Sequence, residues 1–506
     1  MLEEEAENPL AQLERIEALQ RLGLSYKFED DIKRVLKIID SKNSCNDAWK
    51  KNDDLYATAL EFKLLRQHGY SVPSEVFNVF KDEEKGFKAC IREDVKGMLS
   101  LYEASFHLFK GETILEEARD FTTKHLEEYM RRNKDQRADY LVILVDHALE
   151  LPLHWRMLRL EARWFIDVYG RNHNMNPTVL ELAKLDFNVV QSIYLEDLKH
   201  ASRWWSDTRL GEKLPFSRDR LVETFLWAVG VKFEPEFGYC RRMLTKVGAL
   251  ITVIDDIFDV YGTLDELELF EDAFKRWDIT DLDQLPDYMK ICVIATFNAV
   301  NEMAFDVLKE QGYLIIKYLK KMWTDICKCY MVEAKWYYSG YTPTLQEYID
   351  NGWMSITVPL ILGHLFFFIT NPITEEAMEC LVEYPSIIRQ SGTLVRLVDD
   401  LGTSSEELKR GDNPKSIQCY MRESGVSEHE ARQHIKFLIS ETWKKMNEDR
   451  VAESPFSQAF IETAIDFVRM AMLIYQHGDG LGAHQDRYTK EKVLTLFVNP
   501  IPLLDH

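Results

Sequence analysis

The chain has little of what indicates a disulfide-stabilised or β-rich protein. Its 506 residues include 8 cysteines, 22 glycines and 15 prolines, and no C-x-x-C pair occurs. So few scattered cysteines predict free thiols in a reducing compartment, and they support neither a disulfide framework nor a cysteine zinc site. The glycines and prolines mostly separate helical patterns, and no alternating apolar and polar run predicts a strand.

Positive charge is scarce as well. Lysine and arginine number 62 against 84 aspartates and glutamates, which gives a net charge of -22. This balance repels nucleic acid and anionic membranes, and no basic block reverses it locally, so we expect no nucleic-acid partner. An anionic substrate would have to be held by bound cations or by a local group of arginines.

Long apolar runs are also missing. The longest, residues 358–369, has 12 residues and includes a proline, a glycine and a histidine, whereas a membrane-spanning helix needs about 20. We therefore predict no membrane span. The acidic, helical N-terminus MLEEEAENPLAQLERIEALQ fits neither a secretory signal nor an Arg-rich transit peptide, so we expect such a segment to be either not encoded or already removed.

What the chain does contain is apolar residues at three- and four-residue spacing, which predicts an all-α fold. One such series is Leu10, Leu13, Ile16, Leu19 and Leu22. The length favours two domains. The polar stretch GRNHNMNPT, residues 170–178, separates two helical patterns. We place the boundary there, between domains of residues 1–175 and 176–506, and expect the chemistry in the second.

A first carboxylate cluster, D-D-I-F-D, follows an apolar helical pattern. Asp255, Asp256 and Asp259 stand at i, i+1 and i+4. On an α-helix, Asp255 and Asp259 project from one face about one turn apart, where they can share divalent cations. A solvated helix end is the alternative, but clustered aspartates repel one another unless they are exposed or neutralised by metal.

A second cluster places oxygen side chains at i, i+4 and i+8, on Asp399, Thr403 and Glu407. Carboxylate and hydroxyl oxygens on one helical face are hard ligands suited to Mg²⁺. An amphipathic helix with a polar face is the alternative for this pattern taken alone.

Basic residues flank both clusters: Arg218, Arg220, Arg396 and Lys415. Arginine binds phosphate bidentately and lysine acts as a point charge, so the set can hold a diphosphate bridged by magnesium. Ordinary salt bridging is the alternative. Diphosphate binding is favoured because it explains how an acidic protein would retain an anion.

Together these motifs carry a family resemblance. The two clusters and the phrases RDRLVETFLWAVG, YGTLDELELF and GDNPKSIQCYM resemble plant class I terpene synthases, and in detail the angiosperm monoterpene synthases. The resemblance implies a catalytically silent N-terminal α-barrel domain and a C-terminal class I terpenoid synthase α-helical domain that binds metal.

The resemblance also implies roles for single residues. Asp255 and Asp259 would hold two Mg²⁺ ions with Asp256 in support, and Mn²⁺ is a possible substitute. The third Mg²⁺ would be held by Asp399, Thr403 and Glu407. Contacts to the diphosphate would come from the flanking basic residues Arg218, Arg220, Arg396 and Lys415. Cavity aromatics would be Trp227 and Tyr475, which would stabilise a carbocation.

Two further segments lie where this family contacts its substrate. SITVPLIL, residues 355–362, places a proline and hydroxyl residues in an apolar helix pattern, which predicts a kink. A simple helix boundary is the alternative. Phe297 and Asn298 lie where relatives contact the substrate chain. Asn298 is open to two interpretations, a residue that positions water or a satisfied core amide.

We therefore expect a monoterpene synthase that ionises geranyl diphosphate and forms cyclic or acyclic monoterpenes. Farnesyl or dimethylallyl diphosphate are alternative substrates. A prenyl chain-elongating transferase is also possible in principle, but it should show two D-D-x-x-D copies. A non-catalytic helical scaffold would leave both clusters unexplained.

One departure from the subgroup concerns the tandem arginine, followed eight residues later by tryptophan, that plant monoterpene cyclases usually carry near the start of the N-terminal domain. Arg131-Arg132 lies too deep in the chain and has no such tryptophan. A trimmed chain and an enzyme less committed to cyclic products both remain open. By family analogy we expect a plastid protein, otherwise a cytosolic one, and a monomer or weak homodimer.

Overall fold

The computed structural model describes residues 8–44, 54–82, 86–136, 138–480 and 487–503. Within these ranges almost all regular structure is helical, and the strands form a single antiparallel pair of two residues each, β1 (Lys81–Asp82) and β2 (Gly86–Phe87). The predicted all-α class is confirmed. The acidic residues 1–7, on which the targeting prediction rests, and Cys45 lie outside the described ranges.

The α-helices in chain order are α1 (Pro9–Arg21), α2 (Glu29–Ser44), α3 (Leu55–Gln67), α4 (Val95–Ser105), α5 (Thr113–Arg132), α6 (Tyr140–Glu150), α7 (Leu158–Tyr169), α8 (Pro177–Thr208), α9 (Leu210–Lys213), α10 (Leu221–Val231), α11 (Gly238–Asp256), α12 (Leu264–Arg276), α13 (Asp287–Gln311), α14 (Ile316–Ser339), α15 (Leu345–Ser355), α16 (Val358–Ile369), α17 (Glu375–Val382), α18 (Ser386–Arg410), α19 (Ser416–Ser424), α20 (Glu428–Val451), α21 (Gln458–Ile474) and α22 (Arg487–Val493). Short 3₁₀ helices cover Ser25–Lys27, Ser74–Phe80, Ala89–Glu93, Leu153–Trp155 and Pro235–Phe237, and π-helical turns cover Ile257–Tyr261 and Leu494–Val498.

The chain divides into two compact units. The first contains the residues up to Val189, with 447–452 and a C-terminal piece that starts at Asn499; the second contains 190–446 and 453–498. The division falls inside α8. The polar stretch at 170–178 is the loop between α7 and α8 and the start of α8, and the domain boundary drawn there stays a prediction.

The first unit is built around α3, whose residues are almost all buried because neighbouring helices enclose it. Its N-terminus is capped by Asp54, which accepts the N–H of Ala57 at 2.9 Å. Arg66 is buried at the other end, where its guanidinium donates to Glu112 at 2.6 Å and lies 3.7 Å from the ring centroid of Phe109. The charge is thus paired and covered, as burial requires.

In the second unit α10 packs on α11 and α21, and α18 packs on α15 and α21. Glycines allow two of these approaches. A Cβ at Gly230 of α10 would overlap the sulfur of Met470 on α21, and one at Gly392 of α18 would lie 2.3 Å from the carbonyl oxygen of Trp353 on α15. These contacts hold α11 and α18, the helices that carry the two carboxylate clusters, in one core.

Two helical stretches of the second unit, Asp287–Gln311 and Leu345–Ile369, are long and apolar enough to cross a bilayer by length and composition. Their most apolar windows are 50% and 67% buried inside the protein. Such burial is typical of core helices. Neither stretch contains a long uninterrupted apolar run, because polar residues occur within both.

Candidate active site

The first carboxylate cluster lies where a helix changes type. Asp255 and Asp256 end α11, and Asp259 lies in the π-helical turn Ile257–Tyr261, which the N–H of Gly262 closes by donating to the first carbonyl of that turn at 2.8 Å. A π-turn contains more residues than an α-turn. The two aspartates therefore lie across a change from α- to π-helix and not on one regular α-helix, and the charge of Asp255 still acts on Asp259.

Arg218 connects the first two aspartates. Its Nη2 donates to Asp255 at 2.8 Å, and its Nε and backbone N–H donate to the two oxygens of Asp256 at 2.7 and 2.8 Å. Ser217 adds a further donor at 3.1 Å. Asp256 is 2% exposed, and Asp255 is 30% exposed. Asp256 thus holds Arg218 in place, while Asp255 is partly exposed and accepts Arg218 through Oδ2.

Asp259 lies in a field of negative charge. The residue is exposed, yet protein surrounds its carboxyl closely enough that desolvation is the first cause raising its pKa well above the ordinary value, and the charge of Asp255 is the second. Lys415 acts against the shift, whereas Glu333 and Asp412 add to it. A carboxylate so placed gains from a nearby divalent cation, because the cation removes the repulsion.

The second cluster lies on one continuous helix, α18, as predicted. Asp399 and Thr403 are buried, and the Thr403 hydroxyl donates to the Asp399 carbonyl at 3.0 Å. Glu407 lies two turns further on, with its Oε2 3.7 Å from the Nζ of Lys415. Burial alone would lower the pKa of Lys415, but neighbouring carboxylates, Glu407 first, raise it above the ordinary value.

Arg396 lies beside the start of this cluster and is 10% exposed. Its Nη2 donates to Asp399, and its Nε donates to Asp400 at 3.0 Å. The Tyr348 hydroxyl reaches the same oxygen of Asp400 at 3.0 Å. A Cβ on Gly352 would lie 3.1 Å from the Arg396 side chain, so the glycine provides the room in which the arginine packs.

A common pattern emerges: three predicted diphosphate-binding cations each pair with a predicted metal ligand. The pairs are Arg218 with Asp255, Arg396 with Asp399, and Lys415 with Glu407. Across the described residues, no three His, Cys, Asp or Glu side chains converge as a metal-holding group. The basic side chains thus neutralise the carboxylates in this arrangement, and the donor set, all hard oxygen, fits Mg²⁺ in its chemistry.

Arg220 differs from the other predicted cations. Its Nη1 pairs with Glu223, one helical turn away, at 3.2 Å, which is the ordinary salt bridge considered as the alternative. None of the ion pairs described for Arg220 involves a predicted metal ligand.

The two predicted cavity aromatics lie on different helices. Trp227 on α10 is partly buried, with its ring centroid 5.0 Å from that of Phe467 on α21. Tyr475 directly follows the last residue of α21 and packs on α18. A Cβ added to Gly402 of α18 would lie 3.0 Å from the Cβ of Tyr475. Burial raises the pKa of the Tyr475 phenol, and the charge of Arg396 opposes that rise, so the ring lies within electrostatic reach of the second cluster.

The helix break predicted in SITVPLIL is confirmed. α15 ends at Ser355, Thr357 adopts a left-handed conformation with φ of 71°, and α16 begins at Val358. Phe297 is buried, with its ring stacked 4.0 Å from that of Trp277. Asn298 is exposed, so the interpretation as a satisfied core amide is wrong because the side chain faces solvent.

Sequence reasoning missed Glu333 of α14. Its carboxylate accepts the Asn351 amide at 2.9 Å and the Ser355 hydroxyl, and its carbonyl accepts the Asn413 amide at 2.9 Å. Its charge also contributes to the shifted pKa values of Asp259 and Lys415 noted above. A lone glutamate in a long amphipathic helix gives no motif, so only the fold connects it with the two clusters.

Sequence comparison places these features in a family. Residues 206–445 match the terpene synthase family metal-binding domain, and residues 1–149 match the terpene synthase N-terminal domain. A myrcene synthase of Cannabis sativa is 65% identical over 99% of this chain and 90% of its own length. A chloroplastic myrcene synthase of Quercus ilex is 63% identical over 98% of this chain and 82% of its own.

Solved structures show the same relationship. A limonene synthase structure with 2-fluorolinalyl diphosphate superposes with a TM-score of 0.95 at 48% identity, covering 99% of this chain and 92% of that one. An isoprene synthase from grey poplar (Populus x canescens), in complex with three Mg²⁺ ions and dimethylallyl-S-thiolodiphosphate, gives a TM-score of 0.92 at 45% identity, covering 99% and 94%.

Proposed function

Because the chain belongs to the terpene synthase family, we propose that it is a monoterpene synthase that ionises geranyl diphosphate, converts the allylic cation into cyclic or acyclic monoterpenes and releases diphosphate. The observation that carries this proposal is the pairing of two oxygen-rich clusters with cations suited to diphosphate. The high identity to myrcene synthases over nearly the full chain supports the choice of substrate length.

The clusters divide the metal sites between them. Asp255 and Asp259 would hold two Mg²⁺ ions, and Asp399, Thr403 and Glu407 would hold the third. Magnesium, or Mn²⁺ in its place, supplies Lewis-acid stabilisation of the departing diphosphate when bound. The crowding of negative charge around Asp259 supports a cation requirement at the first cluster.

Arg218, Arg396 and Lys415 would change partners when the substrate binds. In the structure each of the three cations neutralises a carboxylate. If those carboxylates hold metal ions instead, the same cations would become available to the diphosphate oxygens. The leaving group is then stabilised without any protein nucleophile. Arg220 would have to leave Glu223 to join them, so its share should be the smallest.

The cavity residues would protect the carbocation. Trp227 and Tyr475 would present π-faces, each worth about 1–2 kcal/mol to a desolvated cation, and the apolar walls would exclude water.

Cell location and assembly complete the proposal. The chloroplastic name of a relative that is 63% identical supports a plastid enzyme. Both clusters lie in one unit of a single chain, so we propose a monomer or weak homodimer. Fluorescent tagging of the full-length gene product in leaf cells would check the first, and sedimentation velocity of the purified protein the second.

The direct test incubates purified protein and Mg²⁺ with geranyl, farnesyl and dimethylallyl diphosphate, and analyses the volatile products by gas chromatography. We expect the C10 substrate to be turned over with the highest kcat/KM. Turnover of only the C15 or the C5 substrate would overturn the substrate choice, and absence of product and of released diphosphate with all three would overturn the function.

A further inference from the structure

Asp400 is a buried carboxylate beside the second cluster for which neither the motif nor the family resemblance supplies a role. Its side chain is fully buried and accepts three hydrogen bonds, one each from α15, from its own helix α18 and from α19. Oδ1 accepts the Tyr348 hydroxyl and the Nε of Arg396, both at 3.0 Å, and Oδ2 accepts the backbone N–H of Ser416 at 3.0 Å. The bonds to Tyr348 and Ser416 therefore tie α18 to α15 and to α19, and the bond from Arg396 holds that arginine against its own helix.

Two of those partners lead to the cations of the proposed diphosphate site. Arg396 is held directly through its Nε, which leaves the Nη side of the guanidinium directed at Asp399. Ser416 is the first residue of α19 and follows Lys415 in the chain. The bond from Asp400 to the Ser416 N–H therefore fixes the main chain from which the Lys415 side chain extends.

We infer that Asp400 is a positioning residue that sets Arg396 and Lys415 in the geometry needed to grip diphosphate. The inference rests on the proposed function, because it assigns Asp400 to the same site. Asp400 lies behind Arg396 and touches neither metal nor substrate in this scheme, so its effect passes through the two cations.

The substitution Asp400→Asn keeps the shape and changes the hydrogen bonding. An asparagine has one acceptor oxygen and one NH₂ donor, whereas the site presents three donors. If the amide oxygen faces Tyr348 and Arg396, the NH₂ group meets the Ser416 N–H, and one bond is replaced by a repulsive contact. Either orientation loosens Arg396 or α19, so we expect diphosphate to bind about tenfold more weakly, equivalent to one lost charged hydrogen bond.

A matched control separates positioning from simple stabilisation. Asp197 is also buried, at 3% exposure, in the same unit, and it accepts Arg241 at 2.8 and 3.0 Å and Arg242 at 2.6 Å. None of these contacts involves a residue of the two clusters. Asp197→Asn should therefore lower the stability of the fold without changing the affinity for diphosphate.

The experiment compares wild type, Asp400→Asn and Asp197→Asn. Calorimetry with inorganic diphosphate and Mg²⁺ gives the dissociation constant, thermal unfolding gives stability, and kinetics with geranyl diphosphate separate KM from kcat. We expect about a tenfold weaker dissociation constant and a lower kcat/KM for Asp400→Asn. For Asp197→Asn we expect a diphosphate affinity equal to that of wild type.

Equal diphosphate affinity in the two variants would overturn the inference while leaving the proposed function intact. Wild-type protein that neither binds diphosphate nor turns over any prenyl diphosphate would overturn both. If Asp400→Asn does not fold, Tyr348→Phe removes a single donor from Asp400 and decides the matter. A roughly two- to threefold weaker affinity for diphosphate supports positioning, given a lost neutral hydrogen bond, and no change contradicts it.

Discussion

The two carboxylate clusters differ in how firmly the fold holds them. The first lies where α11 passes into a π-turn, and its arginine, Arg218, is 50% exposed. The second lies within the continuous helix α18, and its arginine, Arg396, is 10% exposed. π-turns inside helices often mark functional sites. We therefore expect the first cluster to adjust more readily when it binds ligands, and the second to be the more rigid of the two.

The largest expected effect follows from replacing Asp255, a proposed metal ligand of the first cluster. Asp255→Asn keeps the shape but removes the charge, and we expect turnover of geranyl diphosphate to fall by a factor of about 10³, with the fold retained because the side chain is partly exposed. Initial rates by gas chromatography and circular dichroism would check this. Asp265→Asn, an exposed carboxylate on α12, is the control and should have near wild-type rates.

The arginines of the two clusters should differ in their effect on stability. Arg396→Gln leaves Asp399 and Asp400 buried without their cation, so we expect a loss of about 3 kcal/mol or more in the free energy of unfolding. Arg218→Gln should lower stability less, because solvent screens the half-exposed guanidinium and its pair with Asp255, and the buried Asp256 keeps the backbone N–H of residue 218 and the Ser217 hydroxyl as donors. Chemical denaturation of both variants would measure the difference, and equal losses would contradict the comparison.

The pH dependence of stability tests how closely the helices around the second cluster are packed. The relevant residue is Asp466 on α21, the helix packed on α18. Burial raises the pKa of Asp466 to about 6, although Arg469 donates to it at 2.7 Å and opposes the rise. Because the folded pKa is raised, the folded state binds the proton more tightly, and stability falls as pH rises from the unfolded value of 3.8 to about 6. Above that window the loss is constant.

Asp466→Asn should remove this pH dependence. Relative to wild type, the variant should gain up to about 3 kcal/mol of stability between pH 4 and pH 7, since one pKa unit corresponds to about 1.4 kcal/mol. Thermal unfolding at both pH values gives the difference. A constant difference across that range would show that the Asp466 carboxyl titrates at its ordinary value in the folded protein.

The smallest effect is expected for Arg220, which pairs with Glu223 and with neither cluster. Arg220→Gln should change kcat/KM by less than about threefold, because the partly buried guanidinium pairs with Glu223 and not with a proposed metal ligand. Steady-state kinetics beside Arg218→Gln would check this. A loss as large as that of Arg218→Gln would show that Arg220 leaves Glu223 when substrate binds.

The comparison also shows what sequence could and could not predict. Spacing alone predicted that Asp399, Thr403 and Glu407 lie on one helix, which α18 confirms, because an uninterrupted helical pattern keeps its period over about two turns. The same reasoning did not predict the π-turn that contains Asp259, because residue spacing alone does not distinguish an α-turn from a π-turn. The all-α class and the break at Thr357 followed from periodicity and from Pro359.

Long-range contacts account for what sequence missed. Glu333 and Asp400 acquire their partners from other helices, Asn351 and Ser355 in one case and Tyr348 in the other, and no local pattern records such contacts. The interpretation of Asn298 as a core amide was wrong for a related reason. A helical residue faces the core or solvent according to how its helix packs.

We propose that Arg218, Arg396 and Lys415 stay paired with their carboxylates until Mg²⁺ and diphosphate bind together. The most direct measurement is calorimetric titration of wild-type protein with inorganic diphosphate, once with Mg²⁺ and once with EDTA. We predict binding about 100-fold tighter or more with Mg²⁺, because carboxylates that hold metal would leave Arg218, Arg396 and Lys415 available to the diphosphate, and coupling between the ligands is reciprocal. Equal affinity in both conditions would contradict the account.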